Sequence, residues 1–176
     1  MDSMPTYTGK LLNLDRLKLE DIDIKDVAHH LSNICCFNGA CRWFYSVAQH
    51  SLTVAGLVGK EMRLWALLHE APKAYYGDVL ASQVDNHLYE EIRHANRPVD
   101  VIVFRRFGLL EIDEPYLGLP PEVRKANDKV RLAEEQLMSE PFIKVKVAKT
   151  IPIVPMTPEA AEHQFLDMYH RCYGGK

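Results

Sequence analysis

Leu64-Trp65-Ala66-Leu67-Leu68-His69-Glu70-Ala71-Pro72 is the stretch on which the reading of this chain turns. Apolar residues run into a histidine and a carboxylate, and a proline follows two residues later. The surrounding segment, Glu61 to Tyr76, reads as a helix with Leu64, Trp65, Leu67, Leu68 and Ala71 mostly buried. Pro72 lacks a backbone donor and crowds the previous turn, so the helix should kink or end beside His69-Glu70. Neighbouring residues point about 100° apart on a helix. Both side chains therefore reach one ion only if it sits off the side of the helix, near its C-terminal end.

Reading outward, further ligand types appear on other predicted helices. Ser46 caps a helix carrying His50, with Val47, Leu52, Val54, Ala55 and Leu57 along it, and Gly59 interrupts it before Glu61. Pro120-Pro121 opens a helix to about Met138 that carries Asp128. Two imidazoles and two carboxylates, from His50, His69, Glu70 and Asp128, suit a divalent ion and leave positions for water and a phosphate oxygen. Singly, each has a plainer reading. His50 suits a surface or hydrogen-bonded histidine, His69-Glu70 a helix end, and Asp128, within Asn127-Asp128-Lys129, a solvated face.

The remaining punctuation gives an all-α domain of six or seven helices spanning 1–176. Met1 to Asp23 reads as an irregular or extended arm. Asp23 caps a helix over about Ile24 to Ile34, and Asn38-Gly39 and Gly77-Asp78 mark turns. Leu88 to Phe107 is helical despite Pro98, and Gly108 to Leu119 is a loop. Ile143 to Val154 should be extended or irregular. Thr157-Pro158-Glu159 opens a last helix to about Tyr173. The apolar Leu109 to Leu119 loop suits either an interface patch or packing over its own core.

Composition excludes several classes. The chain has 176 residues, 47% of them apolar and 26% charged, as in an ordinary globular protein. Its net charge of −3 argues against a surface for nucleic-acid polymers. No apolar run approaches the roughly 20 residues of a membrane span, and Met1 to Lys10 is too polar for a secretory leader. Cys35, Cys36, Cys41 and Cys172 contain no Cys-x-x-Cys and form a poor disulfide framework, which points to reduced thiols and a cytoplasmic location. Cys35, Cys36 and Cys41 read either as a zinc site or as small apolar packing at a helix end.

Several stretches resemble the HD-domain phosphohydrolases, helical metal enzymes named for an adjacent His-Asp pair, and within them the phage-type branch acting on deoxynucleotides. They are Ile24 to Ser32, Phe44-Tyr45-Ser46-Val47-Ala48-Gln49-His50-Ser51, Ala66 to Asp78, Arg105 to Leu109, Asp128 to Met138 and Pro158 to Leu166. The Phe44 to Ser51 string and the order His, His-acid, Asp are the most specific. The resemblance implies His50, His69, Glu70 and Asp128 as metal ligands, with Leu132 and Glu135 at the family's offsets after Asp128, and Asp78 as an acid near the reacting centre. It implies a zinc, cobalt, manganese or similar ion, and a dimer or larger ring acting in a host cytoplasm.

Two departures bear on that transfer. The paired aspartate is Glu70, whose extra methylene asks for a shift of roughly an ångström. Lys73 stands where many relatives carry glutamate. A protonated lysine cannot orient water in the same way, but it can pair with phosphate as a point charge. That leaves Asp78 or the ion itself to activate water. Relatives also often have arginine near Cys36, in a segment lining the nucleotide pocket. Cys36, Phe37, Asn38, Arg42 and Trp43 are thus expected to bind substrate, with Trp43 stacking on a base or packing in the core. Arg42, Lys73, Lys125 and Lys129 are candidate phosphate partners.

The implied reaction is hydrolysis of a deoxynucleotide at the phosphorus attached to O5′, foremost dATP to deoxyadenosine and triphosphate. A deoxynucleoside 5′-monophosphatase and a non-catalytic nucleotide-binding module are the alternatives, with a second-messenger phosphodiesterase behind them.

Overall fold

The computed structural model describes residues 3–79, 84–134, 137 and 151–174. Among these, the chain is helical with one small hairpin. The helices are α1 (Ile24–Asn33), α2 (Val47–Ala55), α3 (Arg63–Leu68), α4 (Lys73–Tyr76), α5 (Asn86–Arg106), α6 (Pro121–Glu134) and α7 (Pro158–Tyr173). Among the described residues, no helix is long and apolar enough to cross a membrane.

The expected helix starts are found where side chains can satisfy free backbone N–H groups. Asp23 accepts from the Lys25 amide, Ser46 from Gln49 and Thr157 from Ala160. The arm before α1 is more ordered than its sequence suggests. β1 (Met4–Pro5) pairs antiparallel with β2 (Leu11–Leu12) through a turn in which Gly9 takes a positive φ of 87°. The buried Asp26 of α1 fastens this hairpin, accepting from Thr8 N at 2.7 Å and Thr8 Oγ1 at 2.9 Å. The bond spans 18 residues, so no local pattern in the arm gives a cue to it.

α2 is the centre of the domain. Eight of its nine residues are buried, and it packs on α1, α3, α6 and α7. Its small Ala48, Ser51 and Ala55 let those neighbours approach closely. α7 lays Ala161, Phe165 and Tyr169, spaced one helical turn apart, onto α1, α2 and α3. A polar member of α2, Gln49, is buried because it holds the segment before α7. Its amide donates to Val154 O at 2.5 Å and its oxygen accepts from Met156 N at 3.2 Å.

α5 differs from the others. It runs through Pro98 without interruption and buries only Val99, Val103 and Phe104, all in its second half. Phe104 packs between Trp65 and Tyr116, with ring centres 5.0 and 5.1 Å away. In the loop after α5, Leu110 is buried while Ile112 and Leu117 are exposed, so it is part packing and part open apolar surface. Leu137 apart, the expected continuation of α6 to Met138, including Glu135, lies outside the described residues, as does most of the Ile143 to Val154 stretch.

Candidate metal centre

α3 ends at Leu68, and the next four residues turn tightly before α4. The Ala71 amide donates to Leu68 O and the Lys73 amide to Glu70 O, both short-range turn bonds. Pro72, with no N–H to give, fits this break. The turn swings His69 and Glu70 off the helix end toward α2, where His50 lies in the core.

Three side chains converge. His50 Nε2 is 3.3 Å from His69 Nε2, and Glu70 Oε1 is 4.0 Å from the first and 3.8 Å from the second. These three could hold a metal ion, and they form the one such group among the described residues.

The hydrogen bonds behind the rings fix what the cluster presents. His50 Nδ1 donates to Glu134 Oε1 at 2.7 Å, and the same carboxylate oxygen accepts from Tyr45 Oη at 2.6 Å. His69 Nδ1 donates to Ala66 O at 2.7 Å. Each ring nitrogen facing away from the cluster is occupied by one of these bonds, so the nitrogen each ring presents to the cluster is Nε2. Burial lowers the His69 pKa to about 4, so this ring is neutral across the physiological range. The neutral His69 therefore turns the lone pair of Nε2 toward His50 Nε2 and Glu70 Oε1, a set of atoms suited to a cation.

The fourth predicted ligand is corrected. Asp128 is exposed and lines a shallow outer depression with Arg124, Lys125 and Lys129. Asn127, one residue earlier, is buried and places Oδ1 3.0 Å from His50 Nε2. The buried positions of α6 are Val123, Ala126, Asn127, Val130, Ala133 and Glu134. Asn127 and Glu134, seven residues apart, share that face, and Asp128 lies about 100° around the helix. Counting the inward face from Val123 and Val130 would have identified Asn127 and Glu134; counting from the nearest acid misses them.

Lys73 and Asp78 are both at the site, joined to each other. Lys73 Nζ lies 2.9 Å from Glu70 Oε2 and 2.7 Å from Asp78 Oδ1. Burial opposes the lysine charge, but the two carboxylates hold its pKa above the ordinary lysine value. Burial alone would likewise raise Glu70, yet Lys73 and the histidines hold it below the usual carboxylate range. Arg131 Nη2 reaches Glu70 Oε1 at 3.5 Å.

A cleft of about 580 Å³ opens from His69, Glu70, Lys73 and Asn127 between α5, α6 and the Tyr116 to Leu119 segment. Arg93, Arg97, Arg124 and Arg131 line it together with Tyr76, Tyr89, Phe104 and Tyr116. Its carboxylates are Glu70, Glu90 and Asp100, so five fixed cations meet three anions in a chain of net charge −3. Burial pushes the Asp100 carboxyl up to about 6, although it accepts from Tyr76 Oη at 2.9 Å.

The expected substrate segment lies elsewhere. None of Cys36, Phe37, Asn38, Arg42 and Trp43 lines this cleft, whose walls are α5 and α6. Cys36 is buried, and its thiol is pushed up, first by burial and then by Glu134. Phe37 and Asn38 form a short turn at φ of 54° and 52°, a left-handed conformation unusual for a phenylalanine. Trp43 is 58% exposed, which removes the core-packing reading. Arg42 is also exposed, as are Lys125 and Lys129 on the outer face of α6. All four cysteines are free thiols, and Cys35, Cys36 and Cys41 do not form a metal-binding group.

No family model matches the chain. It is 27% identical over 171 residues to the uncharacterized protein YfdR of Escherichia coli K12, covering 97% of this chain and 95% of that one. An uncharacterized protein of Rhodobacter capsulatus is 33% identical over 144 residues, covering 74% of this chain and 70% of its own. With that identity across most of both sequences, the chain belongs to the same family as the Rhodobacter protein.

Proposed function

We infer that this protein is an HD-type, divalent-metal-dependent phosphohydrolase acting on deoxynucleotides at the phosphorus attached to O5′, with dATP as the foremost substrate. The observation that carries the reading is the convergence of His50 Nε2, His69 Nε2 and Glu70 Oε1, with His69 and Glu70 lining a cationic cleft. A bound zinc, cobalt or manganese ion would supply Lewis acidity and make water a nucleophile near neutral pH.

The residues around that position have distinct tasks. Glu134 and the Ala66 carbonyl hold the two imidazoles in the tautomer a metal needs. Arg93, Arg97, Arg124 and Arg131 offer charge to a polyphosphate, which favours a triphosphate over a monophosphate. Tyr76, Tyr89 and Tyr116 offer rings against which a base can pack. When the bond between phosphorus and O5′ breaks, the leaving oxygen must gain a proton. Asp100 is the cleft carboxyl able to carry one near neutrality.

A second reading is a nucleotide-binding module without turnover. It is favoured by Asn127, a neutral amide where the resemblance leads one to expect a carboxylate, and by the engagement of Glu70 with Lys73. Mono- and triphosphates of the four deoxynucleosides, incubated with Mn²⁺, Co²⁺ or Zn²⁺ and separated by chromatography, distinguish these readings. Deoxyadenosine and intact triphosphate from dATP, with His69→Ala inactive, is the expected result. Phosphate from monophosphates alone would make the protein a monophosphatase. Binding without products would favour the module.

A further inference from the structure

Every carboxylate around the histidine pair already has a partner. Glu134 is taken by His50 and Tyr45, and Asp78 by Lys73. Glu70 divides its oxygens: Oε1 faces the two imidazoles, with the half-exposed Arg131 Nη2 3.5 Å away, while Oε2 lies 2.9 Å from the buried Lys73 Nζ. The three side chains of the Glu70, Lys73 and Asp78 chain are only 11%, 15% and 5% exposed, so water screens them little. Asn127, whose Oδ1 lies 3.0 Å from His50 Nε2, adds no charge.

We propose that Lys73 is a built-in counter-cation, which holds Glu70 in place and weakens the site's affinity for a divalent ion. This rests on the reading of His50, His69 and Glu70 as an ion site. The physical basis is simple. A dication beside Glu70 Oε1 meets a fixed ammonium on the other oxygen of the same carboxylate. Repulsion across such a short, poorly screened distance opposes binding. The ammonium also stabilises the site when no ion is present, because Glu70 and Asp78 would otherwise be two buried like charges. An ion bound here exchanges readily, and the lysine sets how tightly it is held.

Titration calorimetry of the full chain with Mn²⁺, and separately with Zn²⁺, tests this. Lys73→Met strips Asp78 of its cation, leaves Glu70 with only the more distant Arg131, and can fail to fold. The double variant Lys73→Met with Asp78→Asn removes one charge of each sign and keeps the balance. The expected result is a dissociation constant about tenfold or more lower than wild type for the double variant. Lys73→Arg, which keeps the charge, should stay near wild type. Asn127→Asp serves as the independent control on the site itself, since it adds an anion without touching the lysine, and it should also tighten binding. Unchanged or weaker binding in the double variant, with Asn127→Asp tightened, overturns the role of Lys73 and leaves the ion site standing. Tightening in Lys73→Arg equal to that in the double variant overturns it as well, because the charge would then be irrelevant. No saturable binding in any variant, Asn127→Asp included, overturns the ion site and the lysine's role with it.

Discussion

The two faces of α6 carry adjacent residues of similar size and opposite fate. Asn127 turns into the core against His50, while Asp128 turns outward among Lys125 and Lys129. The outer residue has the better chemistry for a metal and the wrong direction; the inner one has the direction and a weaker ligand. Position on the helix decides which of them takes part, and residue type then decides how strongly. The same inward face carries Glu134 and Arg131, so α6 contributes a fixed hydrogen-bond acceptor and a cation to the site without contributing a carboxylate ligand.

The sharpest way to break this contrast is to remove a ligand on the inner side. His69→Ala should abolish ion binding and, under the proposed phosphohydrolase function, lower dATP hydrolysis by at least about 100-fold, measured by calorimetry and product release, whereas Asp128→Ala should change neither. The next largest effect is expected at Glu134. Glu134→Gln keeps the shape but weakens the hold on His50, and ion affinity should fall about 10- to 100-fold. Thermal unfolding of the same variant should also shift down, because Tyr45 and His50 would lose a charged partner.

A change of pH tests burial rather than ligation. His69 has a folded-state pKa of about 4, below its unfolded value of 6.5. The unfolded chain therefore takes up the proton first as the solution is acidified. Its contribution to stability is complete above pH 6.5 and is lost as the pH falls toward 4, amounting to roughly 3 kcal/mol. Denaturant unfolding of the metal-free protein across this window should show that decline, and His69→Gln should flatten it. The smallest effect is expected on the outer face. Asp128→Asn should alter stability by less than about 0.5 kcal/mol, measured by the same unfolding curves.

Much of the architecture was legible from capping and punctuation. Asp23, Ser46 and Thr157 each start the helix their sequence position suggests, and Pro72 coincides with the break that frees His69 and Glu70. These signals are local: a side chain two or three residues away satisfies a backbone donor. His50, His69 and Glu70 were legible as a group because each sits at or inside an apolar helical run. Asn127 and Glu134 were missed because an amide does not look like a ligand and the acid chosen as reference sat one residue out of phase. The hairpin in the arm was missed because its anchor, Thr8 on Asp26, spans 18 residues and leaves no periodic trace. The cleft was missed for a related reason. Its arginines come from two helices distant in sequence, and nothing in either helix alone shows that the other faces it.

The most direct test of the account is the ion stoichiometry of the metal-stripped protein titrated with Mn²⁺ or Zn²⁺. One ion per chain is expected, lost in His50→Ala and in His69→Ala and retained in Asp128→Ala. Full binding in the two histidine variants, or its loss in Asp128→Ala, would contradict the site described here.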